Sequence, residues 1–150
     1  LRESLLNNSR SATTFPVSNL YAWHVKPDKQ AAQHEAIAKL FVRGMLEQWY
    51  ISPFLEPAEC ALVEAHFAAF AHAYTHNSHV VEGVPPALVA KLVDNLTFTG
   101  GLEDVDRFIG QLLQFKAAGV SEFAIRLYDD PEASIRLLAE RVMPAVADTD

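Results

Sequence analysis

The distribution of apolar residues predicts strands at three places in the chain. Residues 19–25 read Asn19-Leu-Tyr-Ala-Trp-His-Val25, in which aromatic and branched side chains lie between turn-forming residues. This composition is typical of a β-strand. Residues 122–128 predict a second strand, and residues 96–99, which end at the break Gly100-Gly101, are the candidate for a third.

Five other stretches have apolar residues that recur every three or four positions, which is the period of an amphipathic helix. Asp28 and Asp130 suit N-caps, Pro57 and Pro131 suit first turns, and Gly119 suits a helix end. The predicted helices are 29–49, 57–77, a short helix after 85–86, 102–118, and 131 to a stop at 144. Residues predicted to face inward include Met45, Cys60, Phe67, Leu113 and Ile135.

The order of these elements favours a parallel α/β fold. A helix, Gly119, a strand and another helix follow each other near the end of the chain, as in proteins whose parallel strands are joined by helices. Helices outnumber strands, whereas a parallel sheet needs helices on both faces and more strands. Residues 1–18 are polar, begin without Met and are predicted to form a loop. We therefore expect a single partial domain over residues 1–150 that belongs to a longer protein.

Composition narrows the classes of function. The chain is 50% hydrophobic with a formal net charge of -7, and its 12 Lys and Arg residues are scattered, which argues against a nucleic-acid interface. No apolar run approaches the ~20 residues that a membrane span needs. The single cysteine, Cys60, excludes an internal disulfide and fits a reducing compartment. We expect a cytoplasmic protein.

Three of the six histidines, His72, His76 and His79, lie close together at spacings of four and three. On a helix they would share one face, opposite the apolar stripe of the 57–77 helix. They also lie in its last turn, where imidazolium groups interact favourably with the helix dipole. The sequence therefore favours a polar helix end over a metal site, with Asn77 as a stop that would leave His79 outside the helix.

Segments of the chain occur in an order that resembles a known family. The downstream segments are Val84-Pro-Pro-Ala-Leu-Val89, Thr99-Gly-Gly-Leu-Glu-Asp-Val105, Ala118-Gly-Val-Ser-Glu-Phe123, Arg126-Leu-Tyr-Asp-Asp-Pro-Glu-Ala-Ser-Ile135 and Arg141-Val-Met-Pro144. Upstream, a strand leads into Asp28-Lys-Gln-Ala-Ala32 and a long helix. Together they resemble the C-terminal part of the luciferase-like monooxygenases, flavin- and deazaflavin-dependent oxidoreductases that include methylene-tetrahydromethanopterin reductase.

The resemblance implies the C-terminal portion of a (β/α)8 TIM barrel, with two or three parallel strands and a helical insertion over residues 52–98. It also implies FMN or a deazaflavin coenzyme and a small-molecule substrate, bound mainly by residues upstream of Leu1, with the catalytic residues unassigned. A homo-oligomer is expected, with no metal. Family members often have Thr or Ser and then Pro after the first glycine, whereas this chain has Gly101 and Leu102, which weakens any phosphate contact there.

The resemblance selects candidate site residues near the ends of strands, because active sites of barrels lie at their carboxyl ends. Trp23 could wall a planar ring system or be core; Arg126 could hold an anion or pair with a nearby acid. Tyr128 could donate a hydrogen bond to a ligand. The backbone N–H groups at Gly100 and Gly101 could hold a phosphate or simply form a turn.

Two alternatives come from other classes of function. The first is a self-contained helical binding module without catalytic activity, built around the 57–77 helix. The second is a metalloprotein that uses the histidines. Cys60 lies on an apolar stripe and is expected to be inert core rather than a nucleophile.

Overall fold

The computed structural model describes residues 2–9, 11, 15–41 and 46–147. These residues form three strands and nine α-helices, with a 3₁₀ turn at Leu102–Asp104 and a π-helical segment at Leu138–Val142. The strands are β1 Ser18–Val25, β2 Thr97–Gly100 and β3 Glu122–Arg126. The helices are α1 Arg2–Asn7, α2 Lys29–Lys39, α3 Gln48–Ile51, α4 Pro57–Ala65, α5 Phe67–Thr75, α6 Pro86–Leu96, α7 Val105–Ala117, α8 Pro131–Leu137 and α9 Met143–Val146.

The strands form a parallel sheet in the order β2-β1-β3, which confirms the α/β class and the parallel strands. The central strand β1 pairs with its two neighbours over different parts of its length. Its residues 22–25 pair with β2, and its residues 18–22 pair with β3. Successive strands of a barrel pair in chain order, which would place β2 in the middle. The described strands therefore form an open sheet with β1 in the middle.

Helices pack on both faces of the sheet and enclose two separate cores, but Leu20 of β1 and the face of β3 beside it stay exposed. On one face, α7 and the C-terminal helices pack on aromatic residues of the strands. On the other face, α2 lies against β1 and β2, and α4–α6 pack behind it in a purely helical core. The residues buried in the first core are Trp23, Val25, Phe98, Val105, Phe108, Leu112 and Val142.

Two predicted helices are shorter than expected. The helix predicted for residues 29–49 ends at Lys39, where the N–H of Leu40 bonds to the carbonyl of Ile37, and Met45 lies outside the described residues. The helix predicted for 57–77 is interrupted at His66. The ring of His66 lies against Gly83, at which a Cβ would be 2.7 Å from His66 Cδ2, and Gly83 has a φ of +76°. The turn at Gly83 therefore needs glycine, because it combines close approach with positive φ.

Several predictions about facing and boundaries were wrong. Phe67, Leu113 and Ile135 are 43, 43 and 57% exposed, and the Phe67 ring is covered only in part, by Phe41 at 5.0 Å between centroids. Residues 2–7 form α1 rather than a loop. The last helix continues past Pro144 to Val146, since the π-helical segment before it changes the backbone pairing that proline would otherwise break.

Candidate functional site

The carboxyl end of β1 carries a histidine that faces a buried carboxylate. Side chains alternate along a strand, so Trp23 points into the aromatic core and His24 points toward α2. Glu35 lies on α2 about two turns after the N-cap residue Asp28. Nδ1 of His24 lies 2.6 Å from Oε2 of Glu35, and both residues are buried.

Glu35 also bonds to the segments that follow β1 and β3. Nζ of Lys26 lies 2.9 Å from Oε1 of Glu35, and the backbone N–H of Asp129 donates to the same oxygen at 3.2 Å. One carboxylate thus joins the ends of two strands that do not otherwise pair there. We call His24, Lys26, Glu35 and Tyr128 the carboxyl-end cluster.

The surroundings fix the protonation states of the buried pair. Burial by itself would raise the pKa of Glu35, but the hydrogen bonds from His24 and Lys26 outweigh it and bring the pKa down to about 2. Burial lowers the pKa of His24, against the opposing effect of Glu35. Because an ionised carboxylate only accepts hydrogen bonds, Nδ1 of His24 carries the proton, and in the neutral ring Nε2 is left with a lone pair.

Two polar atoms of the cluster are buried without a hydrogen-bond partner among the described residues. They are Nε2 of His24 and the hydroxyl of Tyr128. The rings of these residues stack with centroids 4.9 Å apart and an angle of 16° between planes. Burial raises the pKa of the Tyr128 hydroxyl, so it stays protonated and can donate. Buried polar atoms are nearly always bonded, so this acceptor and this donor stand out as groups suited to a ligand or a transferred proton.

An open cleft of about 270 Å³ lies beside the cluster. The residues that line it include Lys26, Glu35, Asp129, His34, Asn77 and His79; His24 and Tyr128 are not among them. The rings of His34 and His79 stack with centroids 4.0 Å apart. The cleft therefore lies at the carboxyl ends of the strands, where ligands bind in open parallel sheets.

The structure brings two of the predicted site residues to this region. Tyr128 belongs to the cluster, and Arg126 is exposed with its guanidinium 5.1 Å from the centre of the Tyr128 ring. Trp23 instead lies in the aromatic core, 1% exposed, with the rings of Phe98 and Phe108 within 5.9 and 5.8 Å. Its indole is not available at the cleft.

Gly100 and Gly101 lie at the end of β2, where acidic side chains occupy the helix start. The N–H of Gly101 donates to Oδ2 of Asp104 at 2.9 Å. Nζ of Lys29 pairs with both Glu103 and Asp104, at 2.9 and 3.1 Å. A phosphate would have to displace the Asp104 carboxylate from the N–H of Gly101.

The three clustered histidines do not stay together. α5 ends at Thr75, His76 stacks on His72 with centroids 4.0 Å apart, and His79 stacks on His34 instead. The prediction that Asn77 leaves His79 outside the helix is confirmed, and Asn77 has a φ of +51°. Among the described residues, no group of three or more His, Cys, Asp or Glu could hold a metal ion.

Neither His24 nor Glu35 stands out in the sequence as a site residue. The only available signal was alternation, which placed His24 on the opposite face from Trp23 at the end of a strand. Glu35 carried no signal, because a glutamate in a long helix is ordinarily solvent-exposed. Only the packing of α2 on β1 brings the two together.

Comparison with known proteins found no relative: no protein-family model matches the chain, and no curated protein or solved structure matches it significantly. In the part of the chain that the structure describes, no helix is both long enough and apolar enough to cross a bilayer.

Proposed function

We propose that the chain is part of a flavin- or deazaflavin-dependent oxidoreductase that resembles the luciferase-like monooxygenases, with the carboxyl-end cluster facing the cofactor or the substrate. The finer fold that the resemblance implies, a (β/α)8 barrel, would place β2 between β1 and β3; the order β2-β1-β3 does not support it, and the cluster carries the proposal instead. The proposal also includes a cytoplasmic homo-oligomer. The single observation that carries it is the pair of buried, unbonded atoms, His24 Nε2 and Tyr128 OH, at the carboxyl ends of parallel strands.

The cofactor would supply the hydride or oxygen chemistry, since such chemistry belongs to the cofactor rather than to the protein. The residues of this chain would handle protons and charge. Glu35 orients the ring of His24 so that Nε2 can accept a proton, and Tyr128 can donate a hydrogen bond to a substrate oxygen. Arg126, which is exposed near the same end of the sheet, could hold an anionic group of substrate or cofactor.

The test uses the complete product of the gene that encodes this chain. We expect it to bind FMN or a deazaflavin coenzyme, seen in the absorbance of the purified protein and in titration with each cofactor. We expect the 150-residue chain alone to have little or no activity. A complete product that binds neither cofactor would refute the family assignment.

Variants of the cluster test its role separately. In the complete product, His24→Gln should lower kcat by about 10²–10⁴ if Nε2 accepts a proton. The pH profile should lose the limb that depends on a basic group. Glu132→Gln, on an exposed and paired side chain of α8, is the matched control and should leave activity unchanged. Equal activity in His24→Gln and the control would remove His24 from the proposal.

A second candidate function, a helical binding module without catalytic activity, is favoured by the surface near α3 and α4. A cleft of about 370 Å³ is lined there by residues that include Leu46, Cys60 and Phe67, and Trp49 on α3 is 72% exposed. Exposed aromatic residues beside a cleft are typical of binding surfaces. A complete gene product that lacks a flavin yet shows a ligand-dependent change in Trp49 fluorescence would favour this candidate over the first.

A further inference from the structure

The outer edge of β3 presents a regular set of backbone groups. In the described part of the chain, β3 pairs with β1 alone. The N–H of Glu122 donates to the carbonyl of Val17, at 3.2 Å, so the even-numbered residues of β3 direct their backbone groups toward β1. By alternation, the N–H and C=O groups of Phe123 and Ile125 point outward, where another strand can pair with them.

The side chains of β3 carry opposite charges at its two ends. Glu122 and Arg126 lie on the same face with Ala124 between them, and all three are exposed. Neither charge forms an ion pair within the described residues. Leu20 of β1 pairs with Ala124 in the register and is 43% exposed. This edge therefore combines unpaired charge with apolar surface.

We propose that two copies of the chain pair through β3, antiparallel, about a two-fold axis at Ala124. In this register Glu122 of one copy lies opposite Arg126 of the second copy, and the reverse pair forms on the other side of the axis. Phe123 likewise lies opposite Ile125 of the second copy. The two sheets join into one continuous six-stranded sheet in the order β2-β1-β3-β3-β1-β2.

The backbone geometry fits this register independently of the charges. Phe123 and Ile125, whose groups point outward, form the pairs that exchange both hydrogen bonds. Ala124 then faces itself in a pair without hydrogen bonds, where Cα atoms approach to about 4.5 Å and a small side chain is needed. A parallel arrangement in register would instead place Glu122 of one copy beside Glu122 of the second copy, where like charges repel. The sequence Glu-Phe-Ala-Ile-Arg is thus complementary to its own reverse. This favours a second copy of the chain as the partner of the β3 edge.

Two single charge reversals, and the double substitution that combines them, test the pairing. Sedimentation of the 150-residue chain measures the dimer Kd. Glu122→Arg and Arg126→Glu should each raise the dimer Kd by about tenfold, because each turns two cross-strand pairs from attractive to repulsive. The double substitution restores opposite charges and should restore the wild-type Kd. Glu64→Lys, on an exposed side chain of α4, is the control for net charge and should change little.

A chain that stays monomeric at every accessible concentration would overturn the proposal. So would a dimer that both single reversals leave intact, or that the double substitution fails to restore, since such a dimer would use another surface.

Disulfide formation tests the register itself. Ala124→Cys should cross-link to the second copy under mild oxidation, because facing Cα atoms at about 4.5 Å suit a disulfide. Leu20→Cys is the matched control: it is exposed beside Ala124 but one strand farther from the axis, three strand spacings or about 14 Å from its counterpart, and should not cross-link. The native Cys60 is buried. Equal cross-linking of the two variants would overturn the register, and no part of this test depends on a flavin.

Discussion

At the carboxyl end of β1 the two sides are equally buried and are stabilised by different physical effects. Trp23 and His24 are neighbours, and each is 1% exposed. The indole packs among Phe98 and Phe108, where apolar burial supplies the free energy. The imidazole bonds to the Glu35 carboxylate, where the gain depends on charge and protonation. One strand therefore joins a core that is insensitive to pH to a cluster that responds to it.

The largest effect should come from breaking the aromatic side. Trp23→Ala removes a fully buried ring, and we expect it to lower the free energy of unfolding by about 3–5 kcal/mol. Urea denaturation measures the loss. Trp49→Ala, at a residue that is 72% exposed, should cost less than about 0.5 kcal/mol. Similar losses in the two variants would show that Trp23 is not core.

Breaking the polar side should cost somewhat less. Glu35→Gln keeps the shape of the side chain but removes the charge that receives His24, Lys26 and the N–H of Asp129. We expect a loss of about 2–3 kcal/mol at neutral pH, the usual range for hydrogen bonds to charged groups. Glu132→Gln, whose side chain is 85% exposed, should change stability by less than about 0.5 kcal/mol. A loss no larger than this control would contradict the role of Glu35.

The dependence of stability on pH should separate the two sides. The pKa of His24 is lowered in the folded chain, so the unfolded chain binds its proton first, and stability falls as pH drops below about 6.5. The pKa of Glu35 is lowered from 4.5 to about 2, so its contribution is present above 4.5 and is lost between these values. Urea denaturation at a series of pH values should show both declines.

Urea denaturation of variants over the same pH range shows which residue causes each decline in stability. Trp23→Ala should lower stability at every pH while preserving the slope, because no proton is taken up there. Glu35→Gln should flatten the decline between pH 4.5 and about 2. If Glu35→Gln kept the wild-type slope in that interval, another carboxylate would be responsible.

The smallest effect concerns the start of α2, the helix that carries Glu35. The side chain of Asp28 accepts hydrogen bonds from the N–H groups of Gln30 and Ala31 at 2.8 and 3.3 Å. Asp28→Ala should cost about 1 kcal/mol, whereas Asp28→Asn keeps the acceptor and should cost a few tenths. Thermal unfolding followed by circular dichroism compares the stability of the two variants. Equal losses would show that the side-chain acceptor at position 28 does not stabilise the start of α2.

The sequence predicted helix caps and helix ends correctly where they depend only on neighbouring residues. Asp28 caps α2, Asp130 caps α8 by accepting from the N–H of Ala133, and Gly119 ends α7 with a φ of +99°. The three strands were also predicted, since their composition differs from that of the helices. These features depend on a few adjacent residues, which is why pattern alone suffices.

Features that depend on distant contacts were not readable. The interruption at His66 needs the approach of Gly83, and the pairing of His24 with Glu35 needs α2 to pack on β1. The wrong inward assignments of Leu113 and Ile135 have the same origin, because periodicity gives the apolar face of a helix but not whether anything covers it.

The pairing of the first half of β1 with β3 has a consequence for the order in which the chain folds. The hydroxyl of Ser121, just before β3, bonds to the backbone of Val17 across 104 residues, so the β1–β3 pairing closes most of the chain into a loop. Contacts between α4 and α5 close only short loops and cost less chain entropy. We expect the helical core to gain protection in pulse-labelling hydrogen exchange before β3 does, and simultaneous protection would contradict this order. The edge proposed to meet a second copy would then be the last part of the chain to form.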